Sequence, residues 1–185
     1  TDAAELARME EKISKEKAIR LLETGDLDRL EPGTFATLAK IHSYLFAEIY
    51  AFAGILRTVN LAKGNFRFVP VMYLQAALEN IDRMSQASFE EIVEKYVEMN
   101  IAHPFREENG RSTRIWLDLL LKKRLKKCVD WSKISKENYM NAMIISTVDS
   151  SVLAQLIVKA LTNKINDREM FMKGIDYSYY YEQED

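Results

Sequence analysis

The segment HPFREENGRSTRIW, His103 to Trp116, packs one imidazole, two adjacent carboxylates, an Asn-Gly pair and three arginines into about four helical turns. Asn109-Gly110 is a turn signal, and the residues after it, STRIWLDLLLKKRLKK, carry apolar positions at helical spacing. A helix starting here leaves its first backbone N–H groups, expected over Gly110 to Thr113, without partners in the helix. Unpaired amides and the positive end of the helix dipole together make an anion site. Arg111 and Arg114 stand three apart and share one face of that first turn. Their planar forks suit phosphate oxygens. Glu107, just before the turn, is placed to hold Mg²⁺ on such oxygens. His103 precedes it on the same approach and is the candidate base for a nucleophile's proton. One base, one metal carboxylate, one helix-end anion hole and two arginines point to phosphoryl or nucleotidyl transfer. Each piece alone is more often structural or solvated; the joint spacing carries the reading. Rival motifs are absent: there is no GxxxxGK and no GxGxxG, and Trp116 stands where a calcium loop needs a carboxylate. With 2 His and 1 Cys, the chain lacks the ligands of a usual structural zinc site.

Outward from this segment the chain reads as helix. Residues 3–23 form the first, ending before Thr24-Gly25-Asp26. Pro32-Gly33 marks a turn, and Thr34 caps an apolar helix expected over 35–53 that stops at Gly54. The texture then changes. ILRTVNLAKGNFRFVP (55–70) alternates apolar and polar residues around Lys63-Gly64-Asn65, which predicts a short hairpin and the only β-like stretch of the chain. Helices resume over 71–84 and 88–102, the latter opened by the capping box Ser88 and Glu91. After the quoted segment they continue over 135–145, 149–162 and 167–182. The expected fold is all-α, one domain over 1–185 decorated by one hairpin.

Composition narrows the function classes. A chain with 48% hydrophobic and 29% charged residues has material for a core, and 6 Gly with 3 Pro is too little for an all-β or disordered chain. Twenty-six basic against 28 acidic residues give a net charge of -2, so no whole-molecule field draws nucleic acid or an anionic membrane. No run is apolar enough to span a bilayer, and the first residues lack a signal-peptide core. The lone Cys128 excludes an internal disulfide and fits a reducing, cytoplasmic setting. KKRLKK (122–127) reads as dipole-complementing cations at a helix end, His42 as a core histidine and Cys128 as packing.

His103, Phe105, Glu107, Asn109, Gly110, Arg111 and Arg114 match all but one of the fixed positions in His-x-Phe-x-Asp/Glu-Gly/Ala-Asn-Gly-Arg-x-x-Arg. That signature is the one by which the chain resembles the Fic (filamentation induced by cAMP) family. AFAGILR (51–57) is similar to the family's aromatic-Ala-Gly-x-x-Arg segment. The hairpin, with Lys63, Gly64, Asn65, Phe66, Arg67 and Phe68, resembles its target-positioning flap. SYYYEQ (178–183) resembles the inhibitory motif Ser/Thr-x-x-x-Glu-Gly/Asn, with Ser178 and Glu182 on a C-terminal inhibitory helix at about 167–183. The likeness covers nearly the whole chain and points to the small, single-domain, self-inhibited class.

The resemblance implies a protein adenylyltransferase that uses ATP and Mg²⁺ to place AMP on a Tyr, Ser or Thr hydroxyl of a target protein. By it His103 is the base and Glu107 the metal ligand. Asn109 contacts the α-phosphate region, Gly110 supplies the anion hole, and Arg111 and Arg114 bind the outer phosphates. Phe105 anchors the loop. Glu182 restrains the enzyme by pairing with Arg114, and Tyr179, Tyr180 and Tyr181 are candidates for self-modification. A topoisomerase subunit is the family-level target, self-association is expected of the class, and no membrane or direct nucleic-acid partner is implied. Glu108 departs from the family's Gly or Ala and sets negative charge near the expected phosphates. It keeps open two alternatives: removal of AMP or another nucleotidyl transfer at the same site, and a non-catalytic module.

Overall fold

A computed structural model describes residues 2–183. Among them are helices α1 (Ala3–Glu23), α2 (Phe35–Phe46), α3 (Val71–Arg83), α4 (Phe89–Ala102), α5 (Asn109–Leu125), α6 (Lys136–Ser146), α7 (Ser151–Ala160) and α8 (Arg168–Glu182). Their starts follow local chemistry. Asp2, Thr34, Ser88, Ser135 and Asp167 each accept a backbone N–H three residues on, and Ser88 with Glu91 completes the reciprocal box.

α5 is the central post. Trp116, Leu117, Leu119, Leu120 and Leu121 are all buried, so the helix is apolar nearly all round, as a helix enclosed by others must be. It packs on α2, α4 and α8. One side meets a core that includes Leu38, Ile41, Phe46 and Phe105; the other meets Ile92, Tyr96, Trp131, Tyr139 and Tyr181. Lys122, Lys123 and Arg124 occupy its last turn, and Lys122 pairs with Asp28 at 2.8 Å.

Two expectations are corrected. α2 ends at Phe46 instead of running to 53. Beyond it Ile49 and Tyr50 both bond back to the Phe46 carbonyl, and Gly54, at φ 75°, folds the chain onto α2 itself. A Cβ at Gly54 would lie 2.9 Å from the Ala39 oxygen, so only glycine permits this approach. The run is apolar because it covers the core, not because it is helical. The hairpin is also not the only β-structure. β1 (Ala62–Lys63) pairs with β2 (Phe66–Arg67), and β3 (Cys128–Val129) pairs antiparallel with β4 (Leu161–Thr162), the last two residues of the expected helix 149–162. A tertiary acceptor fixes this second pair: Asp118 of α5 takes the Val129 N–H at 2.8 Å and the Trp131 indole N–H at 2.9 Å.

His42 is fully buried in α2 and stacks on Phe105, ring centroids 3.9 Å apart. Its Nδ1 accepts the Gly54 N–H at 2.9 Å, so Nε2 carries the hydrogen and donates to the Glu107 carbonyl, also at 2.9 Å. This core histidine braces α2, the turn at Gly54 and the loop before α5. Burial lowers its pKa to about 4, against the weaker opposing pull of the Glu107 carbonyl.

Two stability predictions follow from these braces. A histidine with a depressed folded pKa stabilises above its unfolded pKa and loses that contribution as pH falls toward the folded value. The stability gap between the native chain and His42→Asn, measured by urea unfolding, therefore narrows by about 2 kcal/mol from about pH 7 to about pH 5. Asp118→Ala strands two buried donors and lowers stability at neutral pH by about 1–3 kcal/mol in the same assay.

Candidate active site

The site is built on the first turn of α5. Glu108 is its N-cap, in the left-handed region at φ 64° and ψ 24°. The helical bonding starts with the Ser112 N–H on the Glu108 carbonyl, at 3.4 Å. The amides outside the helical ladder are thus those of Asn109, Gly110 and Arg111, not Gly110 to Thr113 as expected, because the helix begins at Asn109. The side chain of Asn109 closes on Phe105: Oδ1 accepts the Phe105 N–H at 2.8 Å and Nδ2 donates to the Phe105 carbonyl at 2.7 Å. The expected phosphate contact through Asn109 is left to its backbone N–H, since the amide group is spent on the loop. Phe105, fully buried, anchors that loop in the core.

A carboxylate lies over the helix start. Glu182 Oε1 accepts from Arg114 Nη2 at 2.6 Å, and a Cβ at Gly110 would collide with that same oxygen. Glycine leaves room for this oxygen, the end of a flexible side chain that a Cβ would push aside. Arg114 is only 3% exposed, and α8 engages it twice more: Nε donates to Ser178 Oγ at 2.7 Å and Nη2 to the Ser178 carbonyl at 3.3 Å. Nη1 reaches the Tyr139 hydroxyl at 3.2 Å, and the guanidinium lies about equally far from the stacked Tyr139 and Tyr181 rings, 5.5 and 5.4 Å from their centres. Burial alone would raise the Glu182 pKa; Arg114, with Arg111 and Lys63, outweighs it and holds the carboxyl below its usual value.

Arg111 is held differently. It pairs with Glu108, lies 3.6 Å from Glu10 Oε1 and sits over the Tyr179 ring at 4.0 Å, while its buried Nε has no partner among the described residues. Glu108 therefore points inward. Burial and a hydrogen bond shared with Glu10 push its carboxyl up to about 8, against the opposing pull of Arg111. Glu10 also accepts the Tyr50 hydroxyl at 2.9 Å.

His103 caps the C-terminus of α4 in the left-handed region, at φ 48° and ψ 63°. Its ring stacks on Phe68, centroids 3.7 Å apart and planes 9° apart. Burial, with the Arg57 and Lys63 charges, lowers its pKa to about 4, against the opposing pull of Glu182. The imidazole is thus neutral at physiological pH and able to accept a proton. The Glu107 carboxylate is exposed, and among the described residues no three His, Cys, Asp or Glu side chains gather as a metal cage. The hairpin pairs Lys63 with Phe66 across Gly64, at φ 59°, and Asn65; Lys63, Gly64, Asn65 and Arg67 are exposed. Its two strands form a sheet of their own, which leaves each an unpaired outer edge.

Of the three tyrosines, Tyr179 and Tyr181 are core residues: Tyr181 donates to the Trp131 and Ile134 carbonyls at 2.7 and 2.6 Å, while Tyr180 is 47% exposed. Only Tyr180 is open to modification with α8 in place. The basic run does not activate Cys128, whose thiol burial pushes up to about 12 with help from Asp118 and Asp130. Sequence reasoning missed Glu10, Tyr139 and the anchoring role of Arg57. All three act across long separations, and only Arg57, within AFAGILR, lay in a segment singled out beforehand.

Residues 32–121, from before α2 into α5, match the model of the Fic/DOC family. The protein adenylyltransferase VbhT of Bartonella schoenbuchensis is 30% identical over 195 residues, covering 95% of this chain; the chain spans 38% of the length of VbhT. The probable protein adenylyltransferase y4lH of Sinorhizobium fredii is 29% identical over 78% of each chain. In fold, the crystal structure of the BepC protein of Bartonella tribocorum with bound AMPPNP is similar at a TM-score of 0.72 and 19% identity, covering 87% of this chain and 88% of that one. Helical architecture, signature loop and family match agree, and the chain belongs to the Fic/DOC family.

Proposed function

We propose that this chain transfers AMP from ATP to a hydroxyl side chain of a target protein, within one domain restrained by α8. The observation that carries the reading is the Glu182 carboxylate lying over Gly110 and bonded to Arg114: the start of α5 already accommodates an anion. The names of VbhT and y4lH support the same chemistry.

In this reading His103 takes the proton of the target hydroxyl, whose oxygen attacks the α-phosphorus as pyrophosphate leaves. The amides of Asn109, Gly110 and Arg111 face the phosphate chain, and Arg111 and Arg114 neutralise its outer charges. Glu107 is the residue that would hold Mg²⁺; one exposed carboxylate beside substrate phosphates suits an ion that keeps water and phosphate oxygens as its other ligands. When bound, Mg²⁺ supplies charge neutralisation on the phosphates. The open hairpin edges offer a target segment main-chain pairing next to the His103 ring, a form of strand addition. Glu182 competes with ATP for Arg114. Glu108 and Glu10 compete for Arg111, which favours a site of low basal turnover.

Radiolabelled ATP and a cell lysate test the reading. Glu182→Gly raises label transfer about tenfold or more, the effect of at least about 1.4 kcal/mol of lost competition. His103→Ala in that background lowers it about 10²- to 10⁴-fold; label indifferent to His103 would refute the assignment. Glu108→Gly removes a carboxylate from Arg111 and a side chain from a left-handed residue. It tightens ATP binding, read by calorimetry, and raises stability by about 1 kcal/mol in urea; weaker ATP binding in this variant would show that Glu108 assists the site.

A further inference from the structure

We propose that Arg57 is the positioning residue that sets the His103 imidazole against the base of the hairpin; the inference rests on the transfer reaction above. Arg57 is 2% exposed and pairs with no carboxylate among the described residues. Its guanidinium is spent on backbone carbonyls. Nε donates to His103 at 2.7 Å, Nη1 to Val59 at 2.9 Å, and Nη2 to Ala102 at 3.0 Å and to Val69. Its own N–H donates to the Pro104 carbonyl at 2.9 Å. One residue therefore holds three successive carbonyls, 102, 103 and 104, around the left-handed His103, and also both ends of the hairpin. The Val69 N–H adds a bond to Ile101, and Phe68, beside Val69, stacks on the imidazole.

A left-handed conformation is unfavourable for a non-glycine residue and persists only where its surroundings fix it. Fixing the carbonyls of Ala102 and His103 by one rigid planar group determines where the ring emerges from the end of α4. Tying Val59 and Val69 to the same group sets the distance between that ring and the strand edge offered to a target. Arg57 touches no reacting atom in this scheme. Its charge also faces the imidazole, as do Lys63 from β1 and Glu182 from α8, and it acts with burial to keep the ring neutral. A lysine supplies the charge and three donors, but not a planar fork able to span the hairpin and the loop together.

The test compares Arg57→Met and Arg57→Lys in the full chain. The chain has 2 histidines, so the His103 imidazole signal is identified by its loss in His103→Ala and titrated by NMR. In Arg57→Met the His103 midpoint rises by about one pH unit or more, and the Phe68 and Val69 amides exchange faster. In Arg57→Lys the midpoint stays low while the amides still exchange faster. With Glu182→Gly added to make turnover measurable, both variants lose about 10- to 100-fold in kcat at an unchanged KM for ATP. The proposal is overturned if Arg57→Met keeps its kcat, if the His103 midpoint does not move, or if ATP binding falls in step with kcat. It is overturned too if both variants fail to fold, which would make Arg57 a core residue only. A parent chain without AMP transfer would instead defeat the transferase reading, and the titration and exchange would still decide what Arg57 does.

Discussion

A helix start buried beside an arginine must meet negative charge. The first turn of α5 presents amides that its own ladder does not use, and Arg114 adds a cation with almost no solvent. Glu182 meets that demand in the structure described. On the proposed reading a nucleotide meets it during turnover, so restraint and catalysis are two solutions of one electrostatic problem. On that reading the Glu182–Arg114 pair is also the obstacle that the nucleotide must displace.

The rest of the site is rigid for a reason visible in its bonds. Asn109 closes the loop on Phe105, His42 holds the Glu107 carbonyl, and Arg57 holds the carbonyls around His103. Two of these braces, His42 and Arg57, come from α2 and from the stretch after it, which is why a chain segment far from the signature loop shapes it. Both left-handed residues of the site, His103 and Glu108, lie between such braces. Backbone strain of this kind survives where neighbouring bonds leave no alternative.

The sequence made the fold class legible because its signals are local and repeated: polar N-caps, helical spacing and one alternating hairpin. It failed where tertiary bonds decide. α2 stops early because Gly54 and His42 meet, and β3 meets β4 because Asp118 draws Val129 inward; two-residue strands carry no period to read. At the site, the grouping of His103, Gly110, Arg111 and Arg114 was readable from spacing. The partners of the arginines were not: Glu182 was supplied only by the family resemblance, and Glu10 and Tyr139 lie in other helices with nothing local to mark them. The inward turn of Glu108 was equally hidden: its position prefers glycine for backbone reasons, and its carboxylate finds Arg111 only once the helix has formed.

The absence of a side chain at Gly110 limits how the protein can change. Any larger residue there would push Glu182 aside and, in the same stroke, fill the space above the amides that a phosphate would need. On the proposed reading, loss of restraint through that position would bring loss of function with it. A genetic selection for unleashed variants would find its survivors in α8, where residue 182 can be altered without touching the floor of the cavity, and would leave the glycine unchanged.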